Sequence, residues 1–182
     1  PDANDPNRNA DLLCHSSERA KKLFEAEDGK STDYRYNHWY NTVNNYFDGW
    51  AFYKYWEVED YVHGSVLPLI RKPEMYYIAA ECLLGTGNDA DRIKAIEILN
   101  TVRSNRGLAK LGNDMTAGTV QDEITKEYQR EFIGEGQLFY YYKRLGFEKI
   151  PYATKAGSDA VYVIPLPSGD VGLGGMEDYK KK

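Results

Sequence analysis

At 182 residues the chain is long enough for one domain with a substantial core and too short for two comfortable ones. Its 42% hydrophobic and 28% charged residues exclude an intrinsically disordered chain, and a net charge of −5 argues against a nucleic-acid binder, which needs a basic face. No apolar run approaches the ~20 residues that span a bilayer, and Cys14 and Cys82 form neither a disulfide framework nor a Cys-x-x-Cys pair.

Residues 1–11 are polar, contain two prolines and read as a mobile lead-in. The first residue is Pro1 rather than Met, as expected of a processed or cut chain whose leader has gone. Leu12-Leu13-Cys14 faintly resembles a bacterial lipidation site, but Leu13 stands where a small residue belongs, so that reading is set aside. Ser16 or Ser17 predicts the cap of a short helix with Ala20, Leu23 and Phe24 on one side and Gly29 as its stop. From Asp33 to Tyr61 the pattern changes to period two. Tyr34, Tyr36, His38 and Tyr40 alternate with Arg35, Asn37 and Trp39, and Phe52, Lys54 and Trp56 alternate with Tyr53 and Tyr55, around Asp48-Gly49. That pattern predicts an aromatic-rich β-hairpin.

Pro73 suits a first helical turn, and Met75, Ile78, Ala79, Cys82 and Leu83 follow at helical spacing, which predicts an inward stripe and a buried Cys82 thiol. Gly85 and Gly87 end this helix. A second helix is predicted from about Asp89 to Arg106, with Ile93, Ile96, Leu99 and Val102 inward and Gly107 as terminator. Residues 73–106 thus make a helical hairpin of roughly tetratricopeptide length (~34 residues), a unit that needs neighbours to cover its apolar face. Thr119 with Asp122 predicts the start of a third helix carrying Val120, Ile124, Tyr128 and Phe132 at steps of four. Gly134 and Gly136 predict a bend before a helix from Gln137 to Leu145. Val161-Tyr162-Val163-Ile164 predicts a short strand closed by Pro165 and Pro167, and the tail from Gly172 reads as disordered. The expected fold is mainly α: tetratricopeptide-like helical hairpins, an aromatic-rich β-hairpin and a short C-terminal strand, in a single domain over residues 1–171.

No nucleophilic serine motif, phosphate loop or His-Glu-x-x-His is present, and His15, His38 and His63 have no metal-ligand spacing. The expectation is a binding module, with no catalytic residue, metal or cofactor. The conspicuous carboxylates are Glu123, Glu127, Glu131 and Glu135, each four residues from the last. Like charges at that spacing repel, so the stripe calls for cations: Lys126 and Arg130 on its own helix, and Arg103, Arg106, Lys143 and Arg144 from neighbours. A di-metal site, which normally uses Glu-x-x-His, and a glycosidase pair are the lesser readings.

Every Trp in the chain falls within residues 34–61, among many Tyr and Phe. An aromatic face stacks on the C–H face of a sugar, and Asn37, Asn41, Asn44 and Asn45 supply polar partners. Alternation also allows half of these rings to be core. Trp39, Tyr40, Trp50, Tyr53 and Trp56 are the candidate sugar-binding residues.

Four motifs in order carry a resemblance. Leu69-Ile70-Arg71-Lys72-Pro73-Glu74-Met75-Tyr76-Tyr77-Ile78-Ala79-Ala80-Glu81, then Leu99-Asn100-x-Val102-Arg103-x-x-Arg106-Gly107-Leu108, then Glu127-x-x-Arg130-Glu131-Phe132-x-x-Glu135-Gly136-Gln137, and finally Ile164-Pro165-Leu166-Pro167, resemble segments of the SusD/RagB family. Leu138 and Tyr141 stand where that family commonly has Arg and Asp. The motifs match the later part of such proteins; the earlier part, with most tetratricopeptide-like pairs and the lipidated Cys, is absent, as in a fragment or a miniature form. The resemblance implies a surface-exposed outer-membrane lipoprotein that binds oligosaccharide or polysaccharide over a TonB-dependent, SusC-like transporter. Its motif residues Glu81, Arg103, Arg130, Glu131 and Glu135 read as scaffold rather than ligand contacts. The leading expectation is therefore non-catalytic glycan capture for uptake. The alternative is a helical scaffold that docks on the transporter without touching sugar, and a glycoside hydrolase is the third reading.

Overall fold

A computed structural model describes residues 14–27, 30–42, 49–52, 54, 69–151 and 153–164. The lead-in over 1–11, Tyr53, Trp56, Pro165, Pro167 and the tail from Gly172 lie outside these residues.

The chain is mainly helical, as expected. It opens with β1 (Cys14–Ser16) and α1 (Ser17–Leu23). Helix α1 ends six residues before Gly29, because Glu25 adopts the left-handed conformation (φ 52°) and the Ala26 N–H returns to the Lys21 carbonyl. Ala20, Leu23 and Phe24 are buried as expected, joined by Tyr36 5.8 Å from Phe24.

The period-two stretch proves to be of two kinds. Residues Tyr34–Trp39 form helix α2, not a strand. Asp33 initiates it: its carboxylate accepts the Arg35 N–H at 2.8 Å and its carbonyl the Asn37 N–H. The helical turn buries Arg35 and Tyr36 together, which alternation along a strand could not. The hairpin itself is shorter: β2 (Tyr40–Thr42) pairs antiparallel with β3 (Gly49–Phe52), and β1 adds to the other edge of β3.

Helices α3 (Lys72–Leu84) and α4 (Asp89–Asn105) form the expected hairpin, and α5 (Ala117–Glu131) packs across both. Asn88 caps α4 by accepting the Asp91 N–H at 2.8 Å. Thr116 caps α5, accepting from Thr119, so the cap lies three residues before the expected one. Ile96, Leu99 and Val102 point inward, and Val120, Ile124, Tyr128 and Phe132 are all buried. Helix α3 is turned the other way from expectation. Tyr77 and Ala80 face α4 and α5, while Met75, Ile78, Ala79 and Cys82 are exposed. The reason is ring packing: Tyr77 lies 5.2 Å from Tyr128 and edge-on to Phe132, and a helix that buries Tyr77 must turn out Met75 and Ile78.

The chain divides into two compact units, Pro1–Ile133 and Gly134–Lys182. The second begins at Gly134 and Gly136, both at positive φ, and holds α6 (Gln137–Arg144) and α7 (Asp159–Tyr162). Tyr141, Tyr142 and Phe147 form its aromatic cluster, and the Tyr162 hydroxyl donates to the Phe147 carbonyl at 2.6 Å. The strand expected at Val161–Ile164 is not formed. No strand pairs with this segment among the described residues, so its N–H groups turn back on Ser158 and Asp159 in a helical turn.

Candidate functional site

The carboxylate stripe of α5 lies at the centre of the first unit, and it is an ion-pair network. Glu127 and Glu131 are fully buried, and Glu123 is nearly so. Arg130, one turn from Glu127, pairs with it at 2.7 Å and donates Nε to the Leu23 carbonyl at 2.6 Å, tying α5 to the end of α1. Arg103 of α4 reaches Glu123 at 3.3 Å and Glu25 at 3.1 Å. Glu131 gathers three guanidinium groups: Arg35 at 2.9 Å, Arg71 at 2.5 Å and Arg106 at 2.7 Å. Arg35 also bridges Glu127 at 3.0 Å and Asp33 at 2.8 Å. Lys126 pairs with Glu123, and the Tyr77 hydroxyl donates to Glu127 at 3.1 Å.

Sequence spacing pointed to Lys126, Arg130, Arg103 and Arg106. It missed Arg35 and Arg71, which arrive from segments far away in the chain, and Asp33 and Glu25 on the opposing side. Lys143 and Arg144 are exposed on α6. Glu135 does not continue the stripe, because α5 ends at Glu131.

The charges explain how so many acids stay buried. Burial pushes the Glu127 carboxyl up, but Arg35 and Arg130 outweigh it and hold its pKa at about 2. Burial likewise opposes the charge on Glu131, and Arg35, Arg106 and Arg71 hold its pKa below the usual range. Burial, with Glu127 and Glu131 adding to it, pushes the Tyr77 phenol well above its usual value. A general acid needs the opposite shift, a carboxyl raised toward neutrality. These groups lock α1, α2, α4 and α5 together.

Of the candidate sugar-binding residues, Trp39, Tyr40 and Trp50 fall within the described residues. Trp39 ends α2, half-buried against the Phe24–Tyr36 cluster, with the Lys54 ammonium 4.1 Å above its ring. Lys54 also donates to the Glu131 carbonyl at 2.6 Å, connecting the aromatic segment to the ion network. Tyr40 opens β2 opposite Phe52, and Trp50 lies in β3 between Thr42 and His15. The register pairs Tyr40 with Phe52, and Trp50 with Thr42 on one side and His15 on the other. Tyr53 and Trp56 lie outside the described residues.

The described residues contain no helix long and apolar enough to cross a membrane, and no group of three or more His, Cys, Asp or Glu placed to hold a metal ion. No curated protein and no solved structure matches the chain. The SusD family, by contrast, matches over residues 18–165, from the start of α1 to just beyond α7. With the ion-paired α4 and α5 motifs and the helical hairpin all inside that span, the chain belongs to the SusD family.

Proposed function

We propose that this protein captures oligosaccharide at the bacterial cell surface, without catalysis, for uptake through a TonB-dependent outer-membrane transporter. Membership of the SusD family across residues 18–165 is the observation that carries this reading. The register of the sheet supports it, since it pairs Tyr40 with Phe52 and sets Trp50 between Thr42 and His15. The proposed sugar contacts are Trp39, Tyr40, Trp50, Tyr53 and Trp56. Stacking at an exposed ring contributes about 1–2 kcal/mol by analogy with other aromatic anchors.

The test is paired thermal melts and glycan titrations on the five single alanine variants. An outward ring changed to Ala weakens binding roughly ten-fold with the melt unchanged. A core ring costs about 3–5 kcal/mol of stability instead. Trp39 is half-buried against the α1 cluster with Lys54 over its ring, so its variant is read for stability and binding together. If all five variants lose stability and none loses binding selectively, the sheet is core and the sugar binds elsewhere.

One observation favours the alternative, a scaffold that docks on the transporter. The exposed face of α3 carries Met75, Ile78, Ala79 and Cys82 with no charge among them. Under that reading Met75→Glu and Ile78→Glu abolish co-purification with the transporter and leave glycan affinity untouched. Under glycan capture alone they change neither.

A further inference from the structure

Helix α5 ends at Glu131, so the carbonyl of that residue has no partner within the helix. The partial negative charge at a helix C-terminus draws cations. Lys54 donates its ammonium to this carbonyl at 2.6 Å, and Arg71, just before α3, donates to the same oxygen. Each cation also lies against a ring. The Lys54 ammonium is 4.1 Å above Trp39, and the Arg71 guanidinium is 4.9 Å from Phe132. Phe132 is fully buried, so its contact belongs to the core. Trp39 is half-buried and is one of the rings proposed to meet sugar.

Place in the chain gives the Lys54 contact its consequence. Trp39 is the last residue of α2, and Tyr40, next in sequence, opens β2. Lys54 follows two residues after Phe52, which ends β3 and is the register partner of Tyr40. Trp39 and Lys54 therefore meet at the end of the β2–β3 pair where α2 feeds in, and the ammonium links that end to α5. Trp39 also packs against the Phe24–Tyr36 cluster. Apolar packing alone lets a half-exposed indole choose among rotamers. A cation over its π face, itself fixed by a charged hydrogen bond, favours one ring orientation.

We propose that Lys54 is a positioning residue for glycan capture: it fixes the Trp39 ring, and with it the start of β2, by bridging the indole to the end of α5. It acts on sugar through Trp39 and does not touch the sugar itself. The proposal rests on the glycan-capture reading and names how one of its rings is held.

The test is a double-mutant cycle on the whole chain, read by isothermal titration with maltohexaose, cellohexaose, xylohexaose and oligogalacturonate, with a thermal melt of each variant. Lys54→Met keeps the aliphatic stem and removes the ammonium, while Arg71 still donates to the Glu131 carbonyl. Trp39→Leu removes the indole and keeps an apolar side chain against Phe24 and Tyr36. Lys54→Met lowers affinity about ten-fold for whichever of these glycans the unaltered chain binds, with the melt unchanged. Lys54→Arg, which restores both the cation and the donor, recovers affinity to within about two-fold. In the Trp39→Leu background, Lys54→Met costs no further affinity. The Trp39 indole N–H resonance shifts in Lys54→Met and moves back in Lys54→Arg.

Unchanged affinity in Lys54→Met overturns the proposal. So does higher affinity, since the ammonium would then be covering the ring from sugar. Equal losses with and without the Trp39 indole place Lys54 at the sugar or on another route, and overturn it as well. A lowered melt with affinity intact reduces Lys54 to a structural pin and overturns the positioning role. If the unaltered chain binds none of these glycans, the capture reading falls and the positioning role falls with it, an outcome that the unaltered chain alone decides.

Discussion

Glu131 ties distant segments of the fold together. It is buried, and Arg35, Arg71 and Arg106 all pair with it. Glu131→Ala leaves those cations without their shared partner, and the expected loss is about 3–5 kcal/mol by urea unfolding. A loss below about 1 kcal/mol would mean that the network behaves like a surface pair. Acid tests the same groups. Glu127 has its pKa lowered from 4.5 to about 2, so the unfolded chain binds protons that the folded one refuses. Stability from this group is complete above pH 4.5, falls as pH drops, and is gone below about 2. The expected contribution is on the order of 3 kcal/mol. Unfolding titrations from pH 6 downward check it, and stability that stays flat to pH 2.5 would contradict it. Half of this network was legible from spacing, because Glu123, Glu127 and Glu131 lie four apart and like charges need partners. Arg35 was not, since it reaches Glu127 and Glu131 across 92 and 96 residues of chain.

At the scale of elements, strong helical periodicity gave the hairpin and α5 but left the facing of α3 undecided. The face with Met75, Ile78 and Cys82 and the face with Tyr77 and Ala80 are both apolar enough to be buried. The choice falls to the rings of Tyr128 and Phe132 on α5, which pattern along α3 does not encode. Adjacent residues therefore give opposite outcomes. Ile78→Ser, at a position 40% exposed, shifts stability by less than about 0.5 kcal/mol. Tyr77→Ala, fully buried, costs about 3–5 kcal/mol. Similar losses at both would return α3 to its expected orientation. Alternation misled more thoroughly between Tyr34 and Trp39, where Asp33 starts a helix and Arg35 turns to the carboxylates of α5. Gly107 was read correctly as a terminator, and its role is steric as well. Its φ is +86°, and a Cβ there would lie 2.3 Å from the Thr32 carbonyl, beside the bond from the Tyr34 N–H to the Arg106 carbonyl. Gly107→Ala is expected to cost about 2 kcal/mol or more, measured by chemical denaturation.

For the whole molecule, four ordered sequence motifs pointed to a family, and the family's match over residues 18–165 agrees with them. The ion network, the α3–α4 hairpin and α5 hold the conspicuous residues of the first three motifs. The binding surface was less legible, because an aromatic ring on a strand has the same chemistry whether it faces core or water. The surface proposed for ligand is the aromatic segment that runs from Trp39 into the three-stranded sheet. The most direct measurement is a titration of the full chain against a panel of plant and microbial oligosaccharides, followed by assay of the same mixtures for new reducing ends. Saturable binding of at least one oligosaccharide, with no reducing ends released on prolonged incubation, is the expected result. Release of reducing ends, or no binding across the panel, would contradict non-catalytic glycan capture.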